Sequence, residues 1–112
     1  MKSKKADNAF VYENLLEEAA EQLKALGHPL RLRILDFLRE NGESSVGEIV
    51  RRTKAPQATV SLHLGRMRRC GIVISRREAR EVYYWIATEI AQVVADALHR
   101  KHDRALGLDP LS

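Results

Sequence analysis

Four histidines, one cysteine and a serine- and threonine-bearing segment from 57 to 63 are the places where this 112-residue chain has side chains suited to chemistry. Ser61 and His63 are the one nucleophile-and-base pair close in sequence. On a helix, residues i and i+2 diverge, so this pair cannot form the hydrogen-bonded couple that activates a hydroxyl. No glycine-rich phosphate loop, metalloprotease motif or carboxylate pair compensates, and the sequence predicts no enzyme. His99-x-x-His102, followed by Asp103, is an i, i+3 pair with donors that suit zinc or nickel. The blander reading, solvated polar residues at a fraying helix end, is preferred. No cofactor is required and no metal site is assigned, His99 and His102 being weak candidates. His28 reads as a loop histidine rather than a ligand. Cys70, alone in the chain, excludes an internal disulfide and a two-thiol switch, and reads as a small apolar residue in a reducing compartment.

The more informative chemistry is electrostatic. Residues 51–80 contain nine arginines and lysines against the single acid Glu78, a local charge of +8, which leaves the rest of a +4 chain at −4. Such segregation concentrates positive potential on one part of the fold, where it attracts phosphates.

The elements that must position this charge follow from apolar spacing. Phe10, Val11, Leu15, Ala19, Leu23 and Leu26 recur at helical intervals and predict an amphipathic first helix. Gly27-His28-Pro29 breaks it, and Pro29 opens a second helix with the stripe Leu30, Ile34, Leu35 and Leu38, ending at Asn41-Gly42. Ser44 or Ser45 caps a third helix from Val46 to about Arg52. A fourth runs from about Gln57 to Cys70 and buries Val60, Leu64 and Met67, with Gly71 as its stop. The period then changes: residues 72–75 and 82–86 predict a two-stranded hairpin around an arginine-rich turn. A last helix begins near Thr88 and carries Ile90, Val93, Val94, Ala97 and Leu98. The expected fold is mainly α with a small β-hairpin, a winged helix-turn-helix of about five helices. Residues 1–9 read as a flexible N-terminal segment, 10–104 as the domain and 105–112 as a flexible tail.

A helix, a tight turn, a second helix and then a basic hairpin form the arrangement in which the second helix enters the major groove and the hairpin touches flanking backbone. On the fourth helix, Ala58, Ser61, Leu62, Gly65, Arg66 and Arg69 point away from the core. Gly65 lowers helix propensity by up to about 1 kcal/mol, which is tolerable where a side chain would collide with a phosphate. Tyr83, Tyr84 and Trp85 read as packing residues.

From 25 to 86 the sequence resembles the ArsR/SmtB-type repressors. The residues that carry the likeness are Ala25-Leu26-Gly27-His28-Pro29-Leu30-Arg31-Leu32-Arg33-Ile34-Leu35, Gln57-Ala58-Thr59-Val60-Ser61-Leu62-His63-Leu64, Cys70-Gly71-Ile72-Val73, Arg76-Arg77-Glu78 and Val82-Tyr83-Tyr84. The resemblance implies a homodimer whose fourth helix contacts DNA through Gln57, Thr59, Ser61 and His63, with Arg76, Arg77 and Arg80 in the wing. On the helical wheel His63 falls nearer the buried face, so its place in this set rests on the resemblance. The family often has arginine where Leu62 stands, a residue suited to a thymine methyl, and glycine where Ala79 stands. Its metal sensors use a cysteine pair on the third helix, where this chain has Ser45 and Gly47, or an Asp-x-His near Thr88 and Ile90, which this chain lacks.

The apolar stripes outside the DNA-binding unit, Phe10, Leu15 and Leu23 with Ile90, Val94 and Leu98, predict a dimer through the first and last helices. The partners expected are double-stranded DNA with a near-palindromic operator and a second copy of the chain, with no membrane partner, in the cytoplasm. The function expected is a sequence-specific transcriptional regulator, a repressor released by an unidentified signal; a sequence-neutral architectural DNA-binding protein is the alternative.

Overall fold

Each helix boundary has a local cause. In the computed structural model, which describes residues 2–107 and side chains from 8 to 107, the elements are α1 (Lys2–Ala25), α2 (Pro29–Asn41), β1 (Ser44–Ser45), α3 (Val46–Thr53), α4 (Gln57–Arg69), β2 (Val73–Glu78), β3 (Glu81–Ile86) and α5 (Glu89–Ala105). Pro29 opens α2, and His28 Nδ1 accepts the Leu30 amide at 3.1 Å. Ser45 Oγ accepts the Glu48 amide at 3.2 Å to start α3, and Thr88 Oγ1 accepts the Ala91 amide at 3.2 Å to start α5. Gly42 ends α2 at φ +69° and Gly71 follows α4 at φ +78°, both in the region where a Cβ is strained.

These helices enclose one core. Ile34, Leu35 and Leu38 of α2 meet Ile49 of α3, Val60, Leu64 and Met67 of α4, Ile72 and Val73, and Ala91 and Ala95 of α5. Full burial of each large side chain contributes about 1.5–3 kcal/mol. The two alanines let the α5 backbone approach α2 closely, so the last helix is seated on the same core as the helix-turn-helix.

The structure departs from the sequence reading in three places. Helix α1 starts at Lys2 rather than at Phe10, because 2–9 contains neither glycine nor proline and its lysines and alanines are good helix formers. The hairpin is longer than its apolar residues suggest, with Val73↔Ile86 through Glu78↔Glu81 in register. Its outer half stands in solvent and is held by backbone pairing rather than by alternating burial. The sheet also has a third strand: Ser44↔Tyr84 and Ser45↔Tyr83 pair β1 with β3, giving the order β1-β3-β2. Ala79 takes φ +55° at the wing turn, a conformation that costs a non-glycine residue about 1 kcal/mol. Of the tail read as flexible, 108–112 lies outside the described residues.

Candidate nucleic-acid interface

Helix α4 divides cleanly into two sides. Val60, His63, Leu64 and Met67 are buried, whereas Gln57, Ala58, Ser61, Leu62, Arg66, Arg68 and Arg69 are exposed and Thr59 and Gly65 are half-buried. Pro56 occupies the N-cap position and supplies no side-chain acceptor to the first-turn amides of α4. A Cβ built on Gly65 would meet only Arg69 Nη1, at 3.6 Å, an ordinary contact. Nothing inside the fold therefore demands glycine there.

His63 is placed apart from the other residues assigned to DNA. It is 7% exposed, its Nδ1 accepts a hydrogen bond from Arg31 Nε at 2.9 Å, and its ring lies 4.4 Å from that of His28. Arg31 also donates to the Ala25 carbonyl at 2.7 Å, so one guanidinium ties the end of α1, the start of α2 and the buried side of α4. The position that the resemblance implied as a DNA contact is a packing joint, because the wheel angle that brings residues 60, 64 and 67 inward brings 63 with them. The accepting Nδ1 places the proton of neutral His63 on Nε2.

Burial, and then the charges of His28, Arg31 and Arg66, push the His63 pKa below its ordinary 6.5. The unfolded chain therefore binds a proton at a higher pH than the folded chain does. Stability should be complete above about pH 6.5 and fall as the pH drops from there toward the folded value. His63→Gln, which keeps an acceptor for Arg31, should flatten this part of the curve. Urea midpoints measured between about pH 7 and 5 test it, and parallel curves for the two proteins would refute the assignment.

The wing arginines are not equivalent. Arg76 pairs with Glu43 through Nε and with Glu78 through Nη1 at 2.7 Å, and its guanidinium lies 4.7 Å above the Tyr83 ring. These hydrogen bonds hold it charged and push its pKa up, and they occupy its donors. Arg77 and Arg80 are exposed and, like Arg66, Arg68 and Arg69, enter no ion pair among the described residues. Sequence reasoning missed both Arg31 and Glu43, since their partners lie 32 and 33 residues away and no local pattern points to them. Cys70 is half-buried in a cleft that Lys24, Arg31, Arg66 and Arg69 also line.

The residues assigned to a dimer fall into two groups. Leu15 and Ile90 line one groove between α1 and α5, and Leu23, Ile90, Val93 and Val94 line an adjoining one. Phe10 (69%), Leu15 (57%), Leu23 (49%) and Val93 (56%) are exposed, and Ile90 and Val94 half-buried. Leu98 instead lines the cavity between α2 and α5, with His99 and His102. No helix among the described residues is long and apolar enough to cross a membrane.

A half-buried sheet hinged to a helix-turn-helix whose second helix exposes polar and basic side chains defines a winged helix-turn-helix transcriptional regulator. Residues 28–75 match the family described as "Bacterial regulatory protein, arsR family". The chain is 40% identical over 87 residues to the biofilm growth-associated repressor of Agrobacterium fabrum, covering 78% of this chain and 74% of that one. The structure superposes on HlyU from Vibrio cholerae with a TM-score of 0.72 and 38% identity, covering 79% of this chain and 95% of that one. A homodimeric winged helix-turn-helix DNA-binding domain from Mycobacterium bovis gives a TM-score of 0.71 at 34% identity, covering 85% and 87%. The chain belongs to the ArsR family of bacterial regulatory proteins.

Proposed function

We propose that the chain is a repressor that binds a near-palindromic operator as a homodimer, placing α4 in the major groove and the tip of the β2–β3 hairpin against flanking backbone. The observation that carries this reading is the set of exposed arginines that enter no ion pair among the described residues, Arg66, Arg68 and Arg69 on α4 and Arg77 and Arg80 on the wing, together with the exposed Gln57, Ser61 and Leu62 of α4. In the groove, Gln57, Thr59 and Ser61 are suited to base edges or phosphates, and Leu62, 52% exposed, to a thymine methyl. The uncapped start of α4 offers amides to a phosphate. Arg76 shapes the wing through Glu43 and Glu78, and Arg77 and Arg80 make its backbone contacts. His63 positions α4 from behind. An inducing signal would act on the spacing of the two α4 helices, a coupling of about 1–3 kcal/mol.

Fluorescence anisotropy with duplex DNA from the gene's own upstream region, against random duplex, tests the proposal across a salt series. Operator affinity should fall linearly on a log-log plot. Arg77→Ala and Arg80→Ala should each reduce the slope by about one and weaken both duplexes alike. Arg76→Ala should change the slope less than either. Equal affinity for operator and random DNA would replace this reading with a sequence-neutral architectural protein.

A further inference from the structure

Asp36 and Glu40 stand one turn apart on α2, and His99 and Asp103 one turn apart on α5, so the packing of these helices sets two i, i+4 pairs against each other. His99 Nδ1 lies 3.8 Å from Asp36 Oδ1 and 3.8 Å from Glu40 Oε1, and one donor atom from each of the three residues falls within 4.8 Å of the others. Donors about 2.1 Å from a tetrahedral ion sit about 3.4 Å apart, close to this spacing and wider than a hydrogen bond. On the opposite side of the ring, Nε2 is 3.5 Å from Asp103 Oδ2. With a cation between Nδ1 and the two facing carboxylates, a carboxylate there would hold the ring proton on Nε2, the outer-shell arrangement that orients metal-bound histidines.

Arg39 forms long ion pairs with both carboxylates, at 3.7 Å to Asp36 and 3.6 Å to Glu40, and neither is taken up in a hydrogen bond to it. Its buried Nε has no hydrogen-bond partner. Arg33 and Arg52 line the same cavity and form no ion pair with them among the described residues.

We propose that Asp36, Glu40 and His99 form a binding site for a divalent cation of the borderline class, zinc, nickel or cobalt, that bridges α2 and α5 within one protomer. The nitrogen-and-oxygen donor set, without sulfur, selects these ions over thiophilic ones, and the open cavity leaves room for water to complete the coordination. Asp103 is a positioning residue. His102, whose side chain is 67% exposed, lies outside the cluster. The site is thus not the His99-x-x-His102 pair that sequence spacing suggests.

The test is titration of cobalt(II) into the purified full chain, followed by its visible ligand-field absorption, with zinc and nickel as competitors. One ion per protomer should bind, and the paired variant Asp36→Asn/Glu40→Gln, which keeps side-chain size, should abolish the signal. Asp103→Asn should weaken affinity by about tenfold or more while leaving stoichiometry unchanged. Zinc should raise the unfolding temperature of the native chain and not that of the paired variant, whose metal-free melting also shows that it folds. Absence of saturable binding, binding that survives in the paired variant, or binding lost in His102→Gln would overturn the site. The titration contains no DNA, so its outcome is independent of the DNA-binding reading.

Discussion

Val93→Glu and Leu15→Glu are expected to convert the regulator to a monomer and to weaken operator binding by about a hundredfold or more, although neither residue lies on the DNA-facing side of α4. Both side chains are exposed in the single chain, so a carboxylate there costs the protomer little; each sits in the apolar grooves along α1 and α5. Buried against a second copy, the same carboxylate would lose its hydration without gaining a partner. A two-fold dimer holds two α4 helices about 34 Å apart, one turn of DNA, and the second half-site then binds as an intramolecular event. Losing that linkage removes an affinity factor of about 10² to 10⁴. Sedimentation at micromolar concentration and operator titration check the expectation together. A monomeric variant that retains full operator affinity would rule out the dimer as the working unit. Val94 is a poorer probe, since it also packs on the core.

The second large effect is expected in discrimination rather than in affinity. Gln57→Ala and Ser61→Ala should each reduce the preference for operator over random duplex by about 1–3 kcal/mol, with random-duplex binding nearly unchanged. Both are exposed on α4 and neither carries charge, so phosphate neutralisation is untouched. His63→Gln should leave discrimination alone and register instead in the pH dependence of stability. If Gln57→Ala weakens both duplexes equally, that side chain touches backbone and not bases.

How far the sequence foretold these features depends on the range of the forces involved. The starts of α2 and α3 were legible because Pro29 and the serine pair Ser44-Ser45 act within a turn of their own position. The core faces of α2 and α4 followed from helical period. By contrast, β1 has two residues, too few for any alternation, and exists because Tyr83 and Tyr84 of β3 offer it a ladder. The wing strands extend beyond their apolar residues because backbone pairing needs no side-chain pattern. At the site, exposure of Ser61, Leu62 and Arg66 was readable from the wheel. The wheel also placed His63 nearer the buried face, and the structure buries it there. The division of labour between Arg76 and Arg77 was not readable, since Glu43 reaches the wing only through the fold.

The position of β2 at the outside of the sheet has a bearing on the protein when no DNA is present. An unpaired strand edge with an exposed isoleucine, Ile74 at 47%, is a template on which the hairpin of another molecule could add. Arg76 and Arg77 follow it on the same strand, and charged side chains at an edge oppose such strand addition. Arg76 and Arg77 therefore guard the free protein against self-association, a role separate from the phosphate contacts proposed for Arg77 and Arg80. Replacing both with apolar residues should promote wing-to-wing aggregation as concentration rises.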